Sequence, residues 1–129
     1  MTTSKGRTIA FWLLTGLIVI SQGASGIADL LKVQGLVDGV TELGYPVYIL
    51  TILGPFKVLG AIVLAIPGLL RLKEWAYAGF FFDFSGAALS HIYHGDGIDL
   101  VLPGMIAVLV LLGSYFLRPD SRRLPGPLF

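Results

Sequence analysis

Long apolar runs, separated by short polar connections, are the feature of this sequence that most restricts its fold. They extend from about Thr8 to Ala28, Pro46 to Leu70, Glu74 to Tyr93 and Ile98 to Leu117. Each is long enough to supply the roughly 20 apolar residues that a helix needs to cross a bilayer. Backbone groups in lipid must be hydrogen-bonded within the segment, and the runs show no polar–apolar alternation, so we expect helices rather than strands. The sequence therefore predicts an all-α transmembrane protein.

The composition agrees with this class and excludes several others. Apolar residues make up 55% of the chain and charged residues only 13%, whereas soluble domains contain about 25% charged residues. The net charge of +1, without a basic patch, gives no basis for nucleic-acid binding. The chain has no cysteine, which excludes disulfides and thiolate metal sites within it. It also lacks a P-loop, a dinucleotide fingerprint, a nucleophile elbow and an H-E-x-x-H motif.

The basic residues predict the orientation of the chain. One side of the predicted membrane contains the basic residues Lys5, Arg7, Arg71, Lys73, Arg118, Arg122 and Arg123. The two opposite connections contain only Lys32, together with Asp29, Asp38, Glu42, Asp96 and Asp99. Because cytoplasmic loops are enriched in Lys and Arg, both termini are predicted to be cytoplasmic. We expect residues 1–118 to form a four-helix antiparallel bundle in a bacterial plasma (inner) membrane, with residues 119–129 as a flexible cytoplasmic tail.

The connection from Asp29 to Tyr45 is longer than the others and amphipathic. Its apolar residues are interspersed with charges and glycines. This pattern fits a short helix on the outer membrane surface, and it equally fits an ordinary polar loop.

Lys57 stands in the middle of the second apolar run. A lysine at this depth costs at least about 2.5–3.5 kcal/mol unless it is paired, neutralised or able to snorkel. Asp83 is the carboxylate within the third run, and Gln22 matches the depth of Lys57 in the first run. Pro55 removes a helical hydrogen bond and is predicted to kink the helix beside Lys57. A Lys57–Asp83 pair that only fixes helix packing and a polar site for a ligand or proton both remain open.

The third run combines a stripe of small residues with bulky neighbours. Gly79, Asp83, Gly86 and Ser90 share one helix face at three-to-four spacing, on which a second helix can approach closely. The phenylalanines from Phe80 to Phe84 occupy the other faces. They are expected to face lipid, and the alternative is that they line a cavity and pack on the ring of a ligand.

His91 and His94 end the third run at the outer rim. Their spacing allows a shared metal, but Gly95 and Gly97 favour a simple interfacial helix end there. A histidine in this position can also respond to pH.

Two segments together resemble the DoxX-like family of small four-helix membrane proteins. They read GPFKVLGAIVLAIPG and RLKEWAYAGFFFDFSGAALSHIYHGD. Pro55, Lys57, the run from Leu72 to Gly79, Ser90 and His91 match the family's pattern, and the resemblance extends over about residues 8–118. It implies the four-helix fold. The family takes its name from a subunit of a thiosulfate:quinone oxidoreductase, so it also implies a quinone as the candidate cofactor.

The sequence leads to two main functional hypotheses. In the first, a small lipophilic ligand such as a quinone binds in an outer-half cavity as part of a redox-linked membrane system. The ligand-binding residues would be Lys57, Asp83, Gln22, His91, Ser90 and Pro55. In the alternative, the protein is a non-catalytic assembly protein for a membrane partner or a second copy, and Lys57 and Asp83 only fix helix packing. A minimal dimeric transporter is a third, weaker hypothesis. A cavity at Lys57 favours the first hypothesis, and direct Lys57–Asp83 contact favours the second.

Overall fold

The computed structural model describes residues 4–125, and within them the chain is all helical, as predicted. The α-helices are α1 (Lys5–Leu31), α2 (Gln34–Glu42), α3 (Ile49–Ala65), α4 (Leu70–His94) and α5 (Ile98–Phe116), followed by a 3-10 turn at Asp120–Arg122. Helices α1 and α5 are long and apolar enough to cross a membrane, and α3 is a shorter apolar helix. Helix α4 is 25 residues long but less apolar. Helix α2 shows that the connection from Asp29 to Tyr45 contains a short helix and is not only a polar loop.

Helix α1 extends further than predicted at both ends. The Ser4 hydroxyl caps its start by accepting a hydrogen bond from the backbone N–H of Arg7 at 3.1 Å. Its end is marked by Lys32, which adopts a left-handed conformation with φ of 51°. Asp29, predicted to lie in the outer connection, is therefore part of α1 and is buried.

Helix α3 is shorter than the apolar run that predicted it. Pro67 disfavours the helical conformation for the preceding residue, and Ile66 is extended with φ of −83° and ψ of 156°. Gly68 and Leu69, with φ of 76° and 52°, then reverse the chain into α4. Pro55 lies inside α3, which continues through it.

The long helices pack in a ring, with α1 and α4 each contacting both α3 and α5. The closest approach is between α1 and α3. A Cβ atom on Gly26 would lie 2.7 Å from the carbonyl oxygen of Gly54, and one on Gly54 would lie 2.9 Å from that of Gly26. Only glycine permits this backbone contact at both positions, as is common between membrane helices.

Two of the phenylalanines predicted to face lipid instead form the core. Phe80 and Phe84 are buried, with ring centroids 5.7 Å apart in a stacked arrangement. They pack with Ile18, Leu64 and Leu111. Phe82, by contrast, is 71% exposed and does face outward. The prediction was wrong for Phe80 and Phe84 because α4 is contacted on two sides, so its aromatic residues divide between core and surface.

Basic side chains cap the end of α3. The Lys73 ammonium donates hydrogen bonds to the carbonyl oxygens of Val63 at 2.6 Å and Ile66 at 2.5 Å. The Arg122 guanidinium donates to that of Leu64 at 2.7 Å. These carbonyls lack partners within the helix, and the cations also match the negative end of its dipole.

The first part of the predicted flexible tail contacts the helices. Its 3-10 turn places the Arg122 guanidinium 4.5 Å from the ring centroid of Trp12 in α1. Residues 126–129 of that predicted tail lie outside the described residues.

Candidate functional site

The ion pair and the hydrogen bond of Lys57 are both made with α1. Its Nζ atom lies 2.9 Å from Asp29 Oδ2 and donates a hydrogen bond to Ser25 Oγ at 3.2 Å. The contact with Asp29 is an ion pair whose angle does not meet hydrogen-bond geometry. The Asp29 side chain is 1% exposed and that of Lys57 is 16% exposed. Within residues 4–125 there is no ion pair between Lys57 and Asp83, so the direct pair, one of the two alternatives left open by the sequence, is not formed.

The helix contact around Gly26 explains this pairing. Ser25 and Asp29 flank Gly26 on α1, and a Cβ atom on Gly26 would lie 3.0 Å from Lys57 Cβ. The close approach of the two backbones therefore brings the base of the Lys57 side chain against α1. Its ammonium group then reaches the Asp29 carboxylate near the end of α1.

A lateral groove of about 660 Å³ lies between α3 and α4. This volume falls within the range of about 300–1,000 Å³ typical of small-molecule sites. Its lining is mainly apolar and includes the aromatic side chains of Phe56, Trp75, Phe80 and Phe82. All of these except Phe80 are exposed on the outer surface, so the groove opens sideways from the helix pair.

Lys57 and Asp83 are the ionisable residues of the groove lining. Asp83 is half-buried, and its carboxylate makes no hydrogen bond or ion pair within residues 4–125. Lys57, on the facing helix, is already held by Asp29. Because an unpaired carboxylate in apolar surroundings is unfavourable, Asp83 is the group in this groove whose interactions are least satisfied.

Ser90 and His91 lie at the other end of α4 from Lys73 and do not line the groove. The Ser90 hydroxyl shares a hydrogen bond with the Tyr45 hydroxyl at 2.6 Å. His91 Nδ1 lies 2.7 Å from Asp96 Oδ2, and His94 Nδ1 lies 2.9 Å from Asp96 Oδ1. The hydrogen bond and charge of Asp96 raise the pKa of His94, and the two imidazoles lower the pKa of Asp96.

This carboxylate shared by two imidazoles closes the turn between α4 and α5. Within residues 4–125 no group of three His, Asp or Glu side chains is arranged to hold a metal ion.

Gln22 and Pro55 are also absent from the groove lining. The Gln22 side chain is half-buried on α1 and makes no hydrogen bond within the described residues, and Pro55 is exposed on α3. Of the six predicted site residues, the structure thus brings only Lys57 and Asp83 to one groove.

The structure adds Asp29, Ser25 and Trp75 to this site. The sequence contains a signal for the first two, because Gln22, Ser25 and Asp29 follow one helical stripe. The first helix was predicted to end at Ala28, so Asp29 was assigned to the connection and not to the site. Trp75 belongs to the Leu72–Gly79 run that matches the family's pattern, but nothing in the sequence marked it as a groove residue.

Comparison with known proteins gives a family match. The model of the DoxX-like family matches residues 13–113, a segment that includes Lys57, Asp83 and Asp29. No curated protein and no solved structure matches the chain.

Proposed function

The chain belongs to the DoxX-like family, and we propose that it binds a small lipophilic molecule from the bilayer in the groove between α3 and α4. The observation on which this proposal depends is the unpaired Asp83 carboxylate in an apolar groove of about 660 Å³, opposite Lys57. Binding sites in helix bundles are commonly built from such inward-facing side chains. The lateral opening would admit a molecule dissolved in lipid without passage through water.

This proposal includes a four-helix transmembrane bundle with both termini in the cytoplasm. Large apolar side chains are exposed on each long helix, including Ile20 at 74%, Phe56 at 68%, Phe82 at 71% and Leu109 at 69%. A monomeric soluble protein rarely exposes contiguous apolar surface of this kind, whereas lipid covers it without cost.

Contacts between the helices support an antiparallel order. Gly26 meets Gly54 while Gly23, one turn earlier on α1, meets Ala61 further along α3. The basic side chains Arg7 and Arg123 both donate to the carbonyl oxygen of Phe116. Basic residues from both ends of the chain therefore gather at one end of the bundle, as the positive-inside rule expects of a cytoplasmic side.

A quinone is the ligand that the family resemblance suggests. Its ring would pack on Phe80 and Phe82, and one carbonyl oxygen would accept a hydrogen bond from the Lys57 ammonium. Lys57 has three N–H donors, of which one is hydrogen-bonded to Ser25, while Asp29 contacts the ammonium as an ion pair. A role in a redox-linked membrane system belongs to this proposal.

One observation favours the second hypothesis, an assembly protein for a membrane partner or a second copy. Cβ atoms added to Gly79 and Gly86 would meet nothing within 4 Å, so this part of the α4 stripe is uncovered in the described residues. Within residues 4–125, the close helix contact predicted for the stripe does not occur at Gly79 or Gly86. A helix of another protein could pack there, while the Asp29–Lys57 pair fixes the position of α1 against α3.

Native mass spectrometry of the protein in mild detergent tests the ligand proposal. We expect a lipophilic small molecule to accompany the wild type and to be lost from Asp83→Asn, a variant that removes a charge without breaking an existing pair. Asp99→Asn makes the same chemical change outside the groove and should retain the molecule. A wild type that carries only a protein partner or a second copy would support the assembly hypothesis instead.

A further inference from the structure

The charges of the groove identify the class of molecule that fits it. Building on the proposed ligand site, we propose that the groove selects a lipophilic organic cation, held between the Asp83 carboxylate and the aromatic lining. A quinone is neutral, whereas this ligand has a positive charge.

The groove has one negative charge that is not compensated. Asp29 and Lys57 neutralise one another at 2.9 Å. Asp83 then leaves the groove with a net charge of −1, because no other ionisable residue lines it. A neutral ligand leaves that charge uncompensated in an apolar setting, whereas a monovalent cation or a proton removes it.

The groove also has a lining rich in aromatic side chains. Phe56, Trp75, Phe80 and Phe82 line the same groove as the Asp83 carboxylate. Aromatic faces attract organic ammonium and phosphonium-type cations by cation–π interaction, and they also cover the apolar substituents of such ions. A hard metal cation would need about six oxygen ligands, and this groove offers one carboxylate.

The Asp29–Lys57 pair has a positioning role in this arrangement. If Asp29 did not hold the Lys57 ammonium against α1, that ammonium could turn to Asp83 and occupy it as an internal cation. Asp29→Asn should therefore weaken binding of an external cation, although Asp29 does not line the groove. Adding Lys57→Met to Asp29→Asn removes the competing ammonium and should restore binding. If Asp29→Asn weakened binding only by disturbing the helix packing, the second substitution would not restore it.

A proton competes with the cation for the same carboxylate. At a pH low enough to protonate Asp83 the cation must displace that proton, so affinity should fall as the pH is lowered into that range. The charged groups that act on Asp83 are Lys57 from α3 and Asp29 from α1. The charged residue of α5 is Asp99, at the start of that helix.

Isothermal titration calorimetry on the full chain in detergent micelles tests the proposal, with empty micelles as the blank. The probes are methyltriphenylphosphonium and triphenylphosphine oxide, which share three phenyl groups and differ in charge. We expect the cation to bind the wild type and Asp99→Asn alike and to bind Asp83→Asn at least about tenfold more weakly. The neutral probe should bind more weakly than the cation and should not distinguish the three proteins. Circular dichroism verifies that each variant is helical.

The possible outcomes separate this inference from the proposed function. If the neutral probe binds as tightly as the cation, and Asp83→Asn binds both unchanged, cation selectivity is refuted while a lipophilic groove stands. If neither probe binds the wild type, both proposals fail. Should Asp83→Asn not fold, the wild type alone decides, because a neutral probe that binds it as tightly as the cation refutes cation selectivity.

Discussion

Removing the Lys57–Asp29 ion pair tests the arrangement on which the site depends. Lys57→Met leaves the Asp29 carboxylate buried without its partner, whereas Asp29→Asn frees the ammonium to turn to Asp83. We expect Lys57→Met to lower the free energy of unfolding by about 3 kcal/mol, because stranding one member of a buried pair costs roughly 3–5 kcal/mol, and Asp29→Asn to lower it by less. The lower end applies because 16% of the Lys57 side chain is still exposed.

The double variant should be much less destabilised than the sum of the two single variants. At 2.9 Å, Coulomb attraction is about 6 kcal/mol for an effective dielectric constant near 20. Desolvation of both ions offsets much of this attraction, and a coupling energy of about 2 kcal/mol is the expected remainder.

The assay is unfolding in mixed micelles by a denaturing detergent, followed by helical circular dichroism. A second cycle that pairs Lys57→Met with Asp83→Asn is the matched control. Because Asp83 makes no ion pair with Lys57, its coupling energy should be below about 1 kcal/mol. A larger coupling of Lys57 to Asp83 than to Asp29 would refute the pairing described above.

Three further predictions follow from other parts of the fold. Gly26→Ala should destabilise the protein by about 1–3 kcal/mol in the same assay, because its Cβ would lie 2.7 Å from the carbonyl oxygen of Gly54. The pKa of His94, measured by NMR titration, should lie above its ordinary value of 6.5 and return toward it in Asp96→Asn. Since the folded-state pKa is the higher one, the stabilising contribution is complete below about pH 6.5 and is lost as the pH rises through the folded-state pKa. Arg122→Ala should lower the free energy of unfolding by about 2–3 kcal/mol, because charged hydrogen bonds to the end of α3 are lost.

Matched variants and specific outcomes control these three predictions. Gly16→Ala adds a methyl group that meets nothing within 4 Å, so a loss for Gly26→Ala no greater than this one contradicts close packing. A His94 pKa at or below 6.5 contradicts the link to Asp96. Arg123→Ala removes hydrogen bonds to the backbone of Arg118 and Phe116, both nearby in sequence, and it should cost less than Arg122→Ala. Equal costs would contradict the role of Arg122 in capping α3.

The helices were largely predictable because each depends on local sequence. Long apolar runs predicted α1, α3, α4 and α5 to within a few residues, except at the ends of α3. There Pro67 stops the helix within an apolar segment, so hydropathy alone placed its end too late. The amphipathic pattern of the connection from Asp29 to Tyr45 predicted α2 as one of two alternatives.

The site was only partly predictable because it depends on how helices are rotated against each other. Lys57 and Asp83 were singled out as charges in apolar runs, and the structure places both in one groove. Ser90, His91, Gln22 and Pro55 were polar or unusual for local reasons and lie elsewhere. Sequence spacing gives the face of a residue on its own helix, but not which neighbouring helix that face meets.

The sequence alone therefore predicts the all-α class of the protein, its helical segments and its family, because hydropathy and motif patterns are local properties. The tertiary structure alone decided that Lys57 binds Asp29 and leaves Asp83 unpaired. The physical reason is the contact of Gly26 with Gly54, where two backbones approach too closely for any side chain. That contact sets the rotation of α1 on α3, and so it determines which carboxylate the Lys57 ammonium can reach.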